Sequence, residues 1–79
     1  MKKEWNLSLD AMNVFCTVID EGGFHVAAKI LNISEPAVSI KIKNIEEAVG
    51  SILIERGRKI CLTQSGKLFY DYAKMSLES

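Results

Sequence analysis

Histidine and cysteine are scarce in this sequence, which limits the metal and redox chemistry that it can support. There is one histidine, and the two cysteines, Cys16 and Cys61, lie far apart and outside any Cys-x-x-Cys pair. Zinc sites and redox-active dithiols usually need such a pair, so the sequence predicts neither. Because free cysteine commonly behaves as a small hydrophobic residue, we expect both thiols to be reduced and buried.

Long hydrophobic runs and catalytic motifs are also missing. No apolar run approaches the ~20 residues needed to span a bilayer, and no apolar segment follows the lysines of the amino-terminal MKKEW. The sequence contains no nucleophile–base pair, phosphate-binding loop or metal cluster, and a lone histidine cannot supply a catalytic site. We therefore expect a cytoplasmic protein that is not an enzyme, has no cofactor or metal site and contacts no membrane.

Net charge is absent as well, since ten basic residues balance ten acidic ones. The balance argues against a uniformly basic nucleic-acid-binding surface and makes the local placement of charge informative. What the sequence does contain is hydrophobic residues, which make up 48% of the 79 positions. That content is sufficient for one small domain with a packed core. Trp5 is expected to pack back on the first helix.

Apolar residues at helical spacing predict two helices in the first part of the chain. Ser8 is a suitable N-cap for a helix that runs to about Glu21, where two glycines can end it. Its apolar stripe is expected to contain Leu9, Ala11, Met12, Phe15, Val18 and Ile19. A short second helix, about residues 24–31, is expected to bury Phe24, Ala27, Ala28 and Leu31.

A third helix is predicted after a turn at residues 32–33. Ser34 can cap it, Pro36 suits its first turn and Gly50 can end it. One stripe, at i, i+4, i+7 and i+11, must face the core: Val38, Ile42, Ile45 and Val49. The opposite face is small and chemically mixed, so it can approach another surface closely; it carries Pro36, Ser39, Ile40, Lys43, Asn44 and Glu47.

The last part of the chain predicts a hairpin and a final helix. β-Branched residues flank Arg56-Gly57-Arg58-Lys59 within residues 52–63, which predicts a hairpin with a basic tip. Thr63 can cap the final helix. Two helices joined by a tight turn and followed by a basic hairpin are typical of a winged helix-turn-helix. We predict this mainly α fold, with a three-helix core and a hairpin wing over residues 1–62 and the last helix over 63–79.

The outward face of the third helix, residues 34–49, suits the major groove of DNA, which presents donors, acceptors and thymine methyl groups. Ser39 can donate or accept a hydrogen bond, and Pro36 and Ile40 can contact a thymine methyl group. Glu35 can accept from a cytosine amino group. Its position near the helix N-terminus equally suits a capping role, because the helix dipole favours a carboxylate there.

Local charge supports the same orientation. Between residues 41 and 59 there are five basic and three acidic residues, and the basic ones are Lys41, Lys43, Arg56, Arg58 and Lys59. Contacts from lysine and arginine to phosphate supply much of the affinity for DNA without reading its sequence. The wing, residues 55–60, is therefore expected to lie on the DNA backbone, although its tip can also be read as an ordinary solvated turn.

The stretch GGFHVAAKILNISEPAVSIKIKNIEEAVG, followed by ILIERGRKICLTQSG, resembles the amino-terminal DNA-binding domain of LysR-type transcriptional regulators. The resemblance implies dimeric binding to partly palindromic double-stranded DNA, with the last helix serving as the linker and dimerisation helix. It implies base-reading roles for Glu35, Pro36, Ser39 and Ile40. It implies phosphate contacts from His25, Lys29, Lys41, Lys43, Arg56 and Arg58, which Lys59 is expected to join.

The chain departs from the family pattern at positions that matter for recognition. Glu35 stands where the family usually has glutamine, and Ile40 where it usually has arginine. Replacing an arginine fork with isoleucine removes a bidentate guanine partner, worth about 1–3 kcal/mol of discrimination. We therefore expect an altered site preference, such as A·T-rich DNA, or weak binding. The resemblance also implies an effector-binding domain that these 79 residues do not contain. We therefore expect either an excised domain or a natural short form, with no small-molecule effector site in this chain.

The last helix is apolar on more than one side, which a monomer would leave exposed, so we expect a homodimer formed through it. Its interface residues are expected to be Leu68, Phe69, Tyr72 and Met75. An alternative hypothesis is a winged-helix protein-interaction module with weak or lost DNA binding. It is motivated by the zero net charge and by Glu35 and Ile40, since an apolar outward patch can also dock a partner protein.

Overall fold

Four helices and one hairpin make up the described part of the chain, residues 7–78. The computed structural model describes residues 7–78, so the expected packing of Trp5 lies outside the described residues. The elements are α1 (Leu9–Glu21), α2 (Phe24–Leu31), α3 (Glu35–Val49), β1 (Ile54–Arg56), β2 (Ile60–Leu62) and α4 (Gln64–Glu78). The predicted mainly α, winged helix-turn-helix architecture is confirmed.

Local sequence signals set the helix boundaries as predicted. The Ser8 hydroxyl accepts a hydrogen bond from the Ala11 N–H at 3.1 Å, and the Ser34 hydroxyl accepts from the Ala37 N–H at 3.2 Å. Each bond satisfies an N–H that the first helical turn leaves without a backbone partner. Gly50 ends α3 in the left-handed conformation with φ 85°, which glycine adopts without steric cost.

The turn between α2 and α3 depends on Asn32. Among residues 7–78, Asn32 is the non-glycine residue with a positive φ, at 60°. Asparagine tolerates this left-handed conformation better than most residues. The conformation lets the Ile33 N–H donate to the Ala28 carbonyl at 3.0 Å, which closes the end of α2. The chain then enters α3 directly through the Ser34 cap.

The core lies where α1 is packed between the other helices. The Phe15 and Phe69 rings meet edge to face, with centroids 4.9 Å apart, and both side chains are fully buried. From α3, the predicted stripe contributes buried Val38, Ile42 and Ile45. Because Phe69 is buried in this core, the expectation that it forms part of a dimer surface is wrong.

Other expectations about burial also need correction. Leu9, the first residue of α1, is 59% exposed, whereas Val14, outside the predicted stripe, is buried. Contacts of α1 with α2, α3 and α4 explain this, because a helix packed on several sides buries more than one stripe. Leu31 and Val49, each the last residue of its helix, are only partly buried.

The wing is a two-stranded antiparallel hairpin. Its register pairs Ile54 with Leu62, Glu55 with Cys61 and Arg56 with Ile60. Cys61 is exposed, so the expectation that both thiols are buried holds for Cys16 alone. Side chains alternate along a strand, so Cys61 points away from the face that carries Ile60 and Leu62.

The start of α4 fixes the base of the wing. As predicted, Thr63 caps α4: its Oγ1 accepts from the Gly66 N–H at 2.9 Å. The same hydroxyl donates to the Ile52 carbonyl at 2.6 Å, and the Thr63 N–H donates to the Leu53 carbonyl at 3.0 Å. A Cβ at Gly66 would overlap the Leu53 carbonyl oxygen. Only glycine permits this close approach of α4 to residues 52–54.

Candidate nucleic-acid interface

The predicted base-reading residues lie together at the N-terminal end of α3. Glu35 and Pro36 are exposed, Ser39 is half-buried and Ile40 is 59% exposed. The opposite side of the helix is held in the core by the buried stripe described above. The outward face of α3 is therefore accessible to another molecule over its first two turns.

Glu35 has an intramolecular neighbour that the sequence did not reveal. Its Oε1 lies 3.6 Å from Nδ1 of His25, at the start of α2. Both side chains are more than half exposed, so the pair adds little to stability. Glu35 was predicted to contact a base and His25 to contact a phosphate. The two side chains lie next to each other at the edge of the outward face of α3.

The predicted phosphate-binding lysines differ in their surroundings. Lys41 pairs with Asp10 of α1, with Nζ 3.2 Å from Oδ2, and is only partly exposed. Lys43 is exposed on the outward side of α3, and Lys29 is exposed in the last turn of α2. Lys41 therefore links α3 to α1, and Asp10 partly compensates its positive charge. The charges of Lys29 and Lys43 are exposed to solvent.

Arg56 is the wing residue that the fold holds in place. Its guanidinium carbon lies 4.1 Å from the centroid of the Phe24 ring, a cation–π contact with the start of α2. Arg58 and Lys59 are exposed at the tip. Sequence reasoning assigned Phe24 to the core and Arg56 to the wing, but no spacing rule could pair two residues so far apart. The wing thus has one oriented cation at the end of β1 and two solvated ones at its tip.

Glu46 is a residue whose role sequence reasoning missed. Its carboxylate Oε2 accepts from the Leu53 N–H at 2.9 Å and from the Ile54 N–H at 3.2 Å. Its backbone carbonyl accepts from the N–H groups of Gly50 at 2.8 Å and Ser51 at 3.2 Å. One residue of α3 therefore accepts four hydrogen bonds from backbone N–H groups of the connection between the helix and the wing. The available signals were its position four residues before the helix-ending glycine and its place in the stretch that resembles the LysR family.

An open groove of about 790 Å³ separates the outward face of α3 from the wing. Ile40, Ile52 and Ile54 form its apolar part, and Lys43, Glu47 and Arg56 bring charges to it. Ile52 is 62% exposed and was not among the predicted site residues. The groove joins the recognition face to the wing as one continuous surface.

A polar cluster lies between α1 and α4. The Tyr70 hydroxyl donates to Oδ1 of Asp20 at 2.5 Å, and the Lys74 ammonium donates to Oδ2 at 3.1 Å. The Tyr70 hydrogen bond, supported by Lys74, holds the pKa of Asp20 below its usual range despite partial desolvation. Beneath it, burial raises the pKa of the Cys16 thiol to about 11, so this thiol is protonated at neutral pH. The cluster ties α4 to the core.

The remaining predicted dimer residues form one stripe on α4. Leu68 is 69% exposed, Met75 71% and Tyr72 41%, at i, i+7 and i+4 of one helix face. Phe69 lies on the inward side.

None of the described helices is long and apolar enough to cross a membrane. Within residues 7–78, no group of three or more histidine, cysteine or acidic side chains could hold a metal ion.

Residues 9–67 match the family model described as a bacterial regulatory helix-turn-helix protein of the lysR family. The chain belongs to the LysR family. The resemblance expected from the sequence is thereby confirmed. This is a family of DNA-binding transcription regulators rather than of enzymes.

Curated relatives of the chain are regulators of this kind. It is 42% identical over 65 residues to the HTH-type transcriptional regulator YtlI of Bacillus subtilis, an alignment that covers 82% of this chain and 21% of YtlI. It is 41% identical over 71 residues to the Probable RuBisCO transcriptional regulator of Cyanidioschyzon merolae, covering 89% of this chain and 23% of that protein. The chain therefore spans less than a quarter of the length of these relatives.

Solved structures with the same fold include DNA complexes. The BenM_DBD/catB site 1 DNA complex matches with a TM-score of 0.86 and 38% identity, over 91% of this chain and 81% of that one. The CbnR_DBD-DNA complex matches with a TM-score of 0.86 and 32% identity, over 91% and 84% of the two chains. The likeness spans both the helix-turn-helix and the wing.

Proposed function

We propose that this chain binds double-stranded DNA sequence-specifically as the DNA-binding domain of a LysR-type regulator, with α3 in the major groove and the wing on the backbone. The observation that carries the proposal is the accessible outward face of α3 beside a basic wing, in a chain of the LysR family. The DNA complexes among its structural neighbours support the same assignment. The protein then works where the DNA is, in the cytoplasm.

Within this proposal, four residues of α3 read bases. Ser39 exchanges a hydrogen bond with a base edge, and Pro36 and Ile40 contact thymine methyl groups. Glu35 accepts from a cytosine amino group when its carboxylate leaves His25. Because apolar contact with a thymine methyl group replaces guanine recognition at Ile40, the preferred site is richer in A·T pairs at that position.

The basic residues around this face position the chain on the phosphates. Lys43, Arg58 and Lys59 are exposed and reach the backbone directly, whereas Arg56 is already oriented by Phe24. An oriented guanidinium loses less conformational freedom on binding than a solvated one. His25, Lys29 and Lys41 add contacts from α2 and from the inner side of α3.

Dimerisation through α4 brings two such faces to a partly palindromic site. The exposed stripe of Leu68, Tyr72 and Met75 provides an apolar surface for a second copy of the chain. A two-fold dimer uses the same patch on both copies. Two recognition helices then reach half-sites on one face of the duplex, as in other dimeric helix-turn-helix proteins.

The test is in-vitro selection of duplexes from a random library, followed by affinity measurements across a salt series. We expect enrichment of a partly palindromic motif and a logarithmic affinity that falls linearly with log salt, by about 0.9 per phosphate contacted. The Ile40→Arg variant should enrich a different base at one position of each half-site. No enrichment, together with an affinity that does not respond to salt, would refute sequence-specific DNA binding.

A protein-interaction module is the second candidate, and the apolar groove between α3 and the wing favours it. Under that reading the exposed Ile40 and Ile52 dock a partner protein, and the wing cations are incidental. Substituting Arg56→Ala and Arg58→Ala together discriminates the two candidates. A large loss of DNA affinity supports DNA binding, whereas unchanged affinity favours the interaction module.

A further inference from the structure

We propose that Glu46 is the positioning residue that sets the orientation of the wing relative to the recognition helix, and so determines whether the wing can contact DNA. The inference rests on the proposed DNA-binding function. It starts from the two backbone N–H groups that the Glu46 carboxylate holds, those of Leu53 at 2.9 Å and Ile54 at 3.2 Å.

The Glu46 carboxylate binds the backbone at the start of β1, where a change in the direction of the strand displaces the wing tip most. Ile54 is the first residue of β1, and the exposed tip at 57–59 extends from it. Backbone hydrogen bonds at residues 53 and 54 fix the direction in which β1 leaves α3. A small rotation there moves the tip cations by a much larger distance.

Other interactions hold the same segment but connect it to different elements. Thr63 donates from its N–H to the Leu53 carbonyl and from its hydroxyl to the Ile52 carbonyl, which links the segment to α4. Arg56 rests on Phe24, which links β1 to α2. The Glu46 side chain supplies the direct polar link to α3, the helix proposed to enter the groove.

The chemistry of this interaction explains why a carboxylate is needed. One ionised oxygen accepts from two consecutive N–H groups, and charge-assisted hydrogen bonds are roughly twice as strong as neutral ones. Aspartate keeps the charge but is shorter by one methylene group, so it cannot reach both N–H groups from the same backbone position. Glutamine keeps the length and one acceptor oxygen but loses the charge.

The experiment measures duplex affinity of the 79-residue chain and its Glu46→Asp and Glu46→Gln variants on a selected duplex, across a salt series. We expect Glu46→Asp to lower affinity by about tenfold. It should also reduce the salt slope by about 0.9 for each phosphate that the wing no longer reaches. Glu46→Gln should fall between Glu46→Asp and the wild type.

Glu21→Gln is the matched control for charge. Glu21 is the last residue of α1, is exposed and lies outside the proposed DNA-binding surface. Its substitution removes one negative charge from the chain without touching α3 or the wing backbone, so affinity should stay the same or rise slightly. A fall in affinity specific to Glu46→Gln therefore reports the weakened hydrogen bonds to the wing.

A double-mutant cycle with Arg58→Ala separates positioning from general loss of stability. If Glu46 directs the wing, Arg58→Ala should reduce affinity several-fold less in the Glu46→Asp background than in the wild type. A residue that merely stabilises the fold would lower the melting temperature and leave the Arg58 effect intact. Full additivity of the two substitutions overturns the proposal.

Residual dipolar couplings of the free chain test the geometry without DNA. We expect the backbone amides of β1 and β2 in Glu46→Asp to report a wing direction different from the wild type relative to α3. An unchanged direction overturns the proposal even if the wild type binds DNA well. Failure of the wild type to bind any duplex would instead refute the proposed function, while the couplings still decide the role of Glu46.

Discussion

Two neighbouring residues of α4, Phe69 and Leu68, allow the core and the proposed dimer surface to be separated. Phe69 is fully buried and meets Phe15 edge to face, whereas Leu68 is 69% exposed. Both were expected in the dimer interface from the apolar pattern of the helix. Substituting each by alanine should therefore affect two different measured quantities.

The Phe69→Ala variant should be strongly destabilised. Truncating a buried phenylalanine typically costs about 3–5 kcal/mol, and the edge-to-face pair adds about 0.5–1.5 kcal/mol. A domain of this size has a total stability of only about 4–12 kcal/mol. We expect Phe69→Ala to lower the urea midpoint sharply or to unfold the chain at room temperature.

The Leu68→Ala variant should fold normally and weaken the dimer. The substitution of leucine by alanine removes about three carbon groups, and burying each one contributes about 0.8 kcal/mol. Because Leu68 is 69% exposed in the single chain, about two-thirds of that contribution can come from contact with a partner. The expected loss is about 1–2 kcal/mol per copy. Analytical ultracentrifugation measures the dimer constant and urea unfolding of the dilute monomer measures stability. A Phe69→Ala variant that keeps its stability but loses its dimer would refute the assignment of the two faces.

Three further predictions follow from other interactions. Ile40→Arg should shift the base preference toward guanine at one position by about 1–3 kcal/mol. Competition between duplexes that differ at that base pair measures the shift, and an unchanged order of duplex affinities would contradict base reading by residue 40. Gly66→Ala should destabilise the chain by about 1–3 kcal/mol in thermal unfolding, because its methyl group would overlap the Leu53 carbonyl; an unaltered melting temperature would count against this close approach. The lowered pKa of Asp20 stabilises the fold above the pKa that aspartate has in the unfolded chain, and this contribution is lost as pH falls through the folded value. Asp20→Asn should therefore flatten the acid side of a stability–pH profile, and an unchanged acid side would contradict the contribution.

The helix boundaries could be predicted because they depend on neighbouring residues. Ser8, Ser34, Gly50 and Thr63 each act within four residues of the backbone groups that they satisfy or terminate. The buried stripe of α3 was equally predictable, since one face of that helix packs on the core. Hydrogen bonding between nearby residues and the helical spacing of apolar residues were sufficient to predict the helix ends and the buried stripe of α3.

What could not be predicted depends on how distant segments meet. The direction of Cys61 requires the hairpin register, which pairs it with Glu55 on the outer side. The distinction between Leu68 and Phe69 requires the position of α1 against α4. The roles of Glu46 and of the Phe24–Arg56 pair require the final angle between the helices and the wing.

The same long-range interactions affect how charge is distributed over a chain that has no net charge. Several of its acids are engaged within the fold: Asp10 by Lys41, Asp20 by Tyr70 and Lys74, Glu35 by His25 and Glu46 by the wing backbone. The basic tip of the wing, Arg58 and Lys59, remains exposed. Because Coulomb interactions in salt solution fade within about 8–10 Å, a phosphate responds to the charges nearest to it rather than to the total. The balance of charge over the whole sequence therefore does not by itself argue against DNA binding.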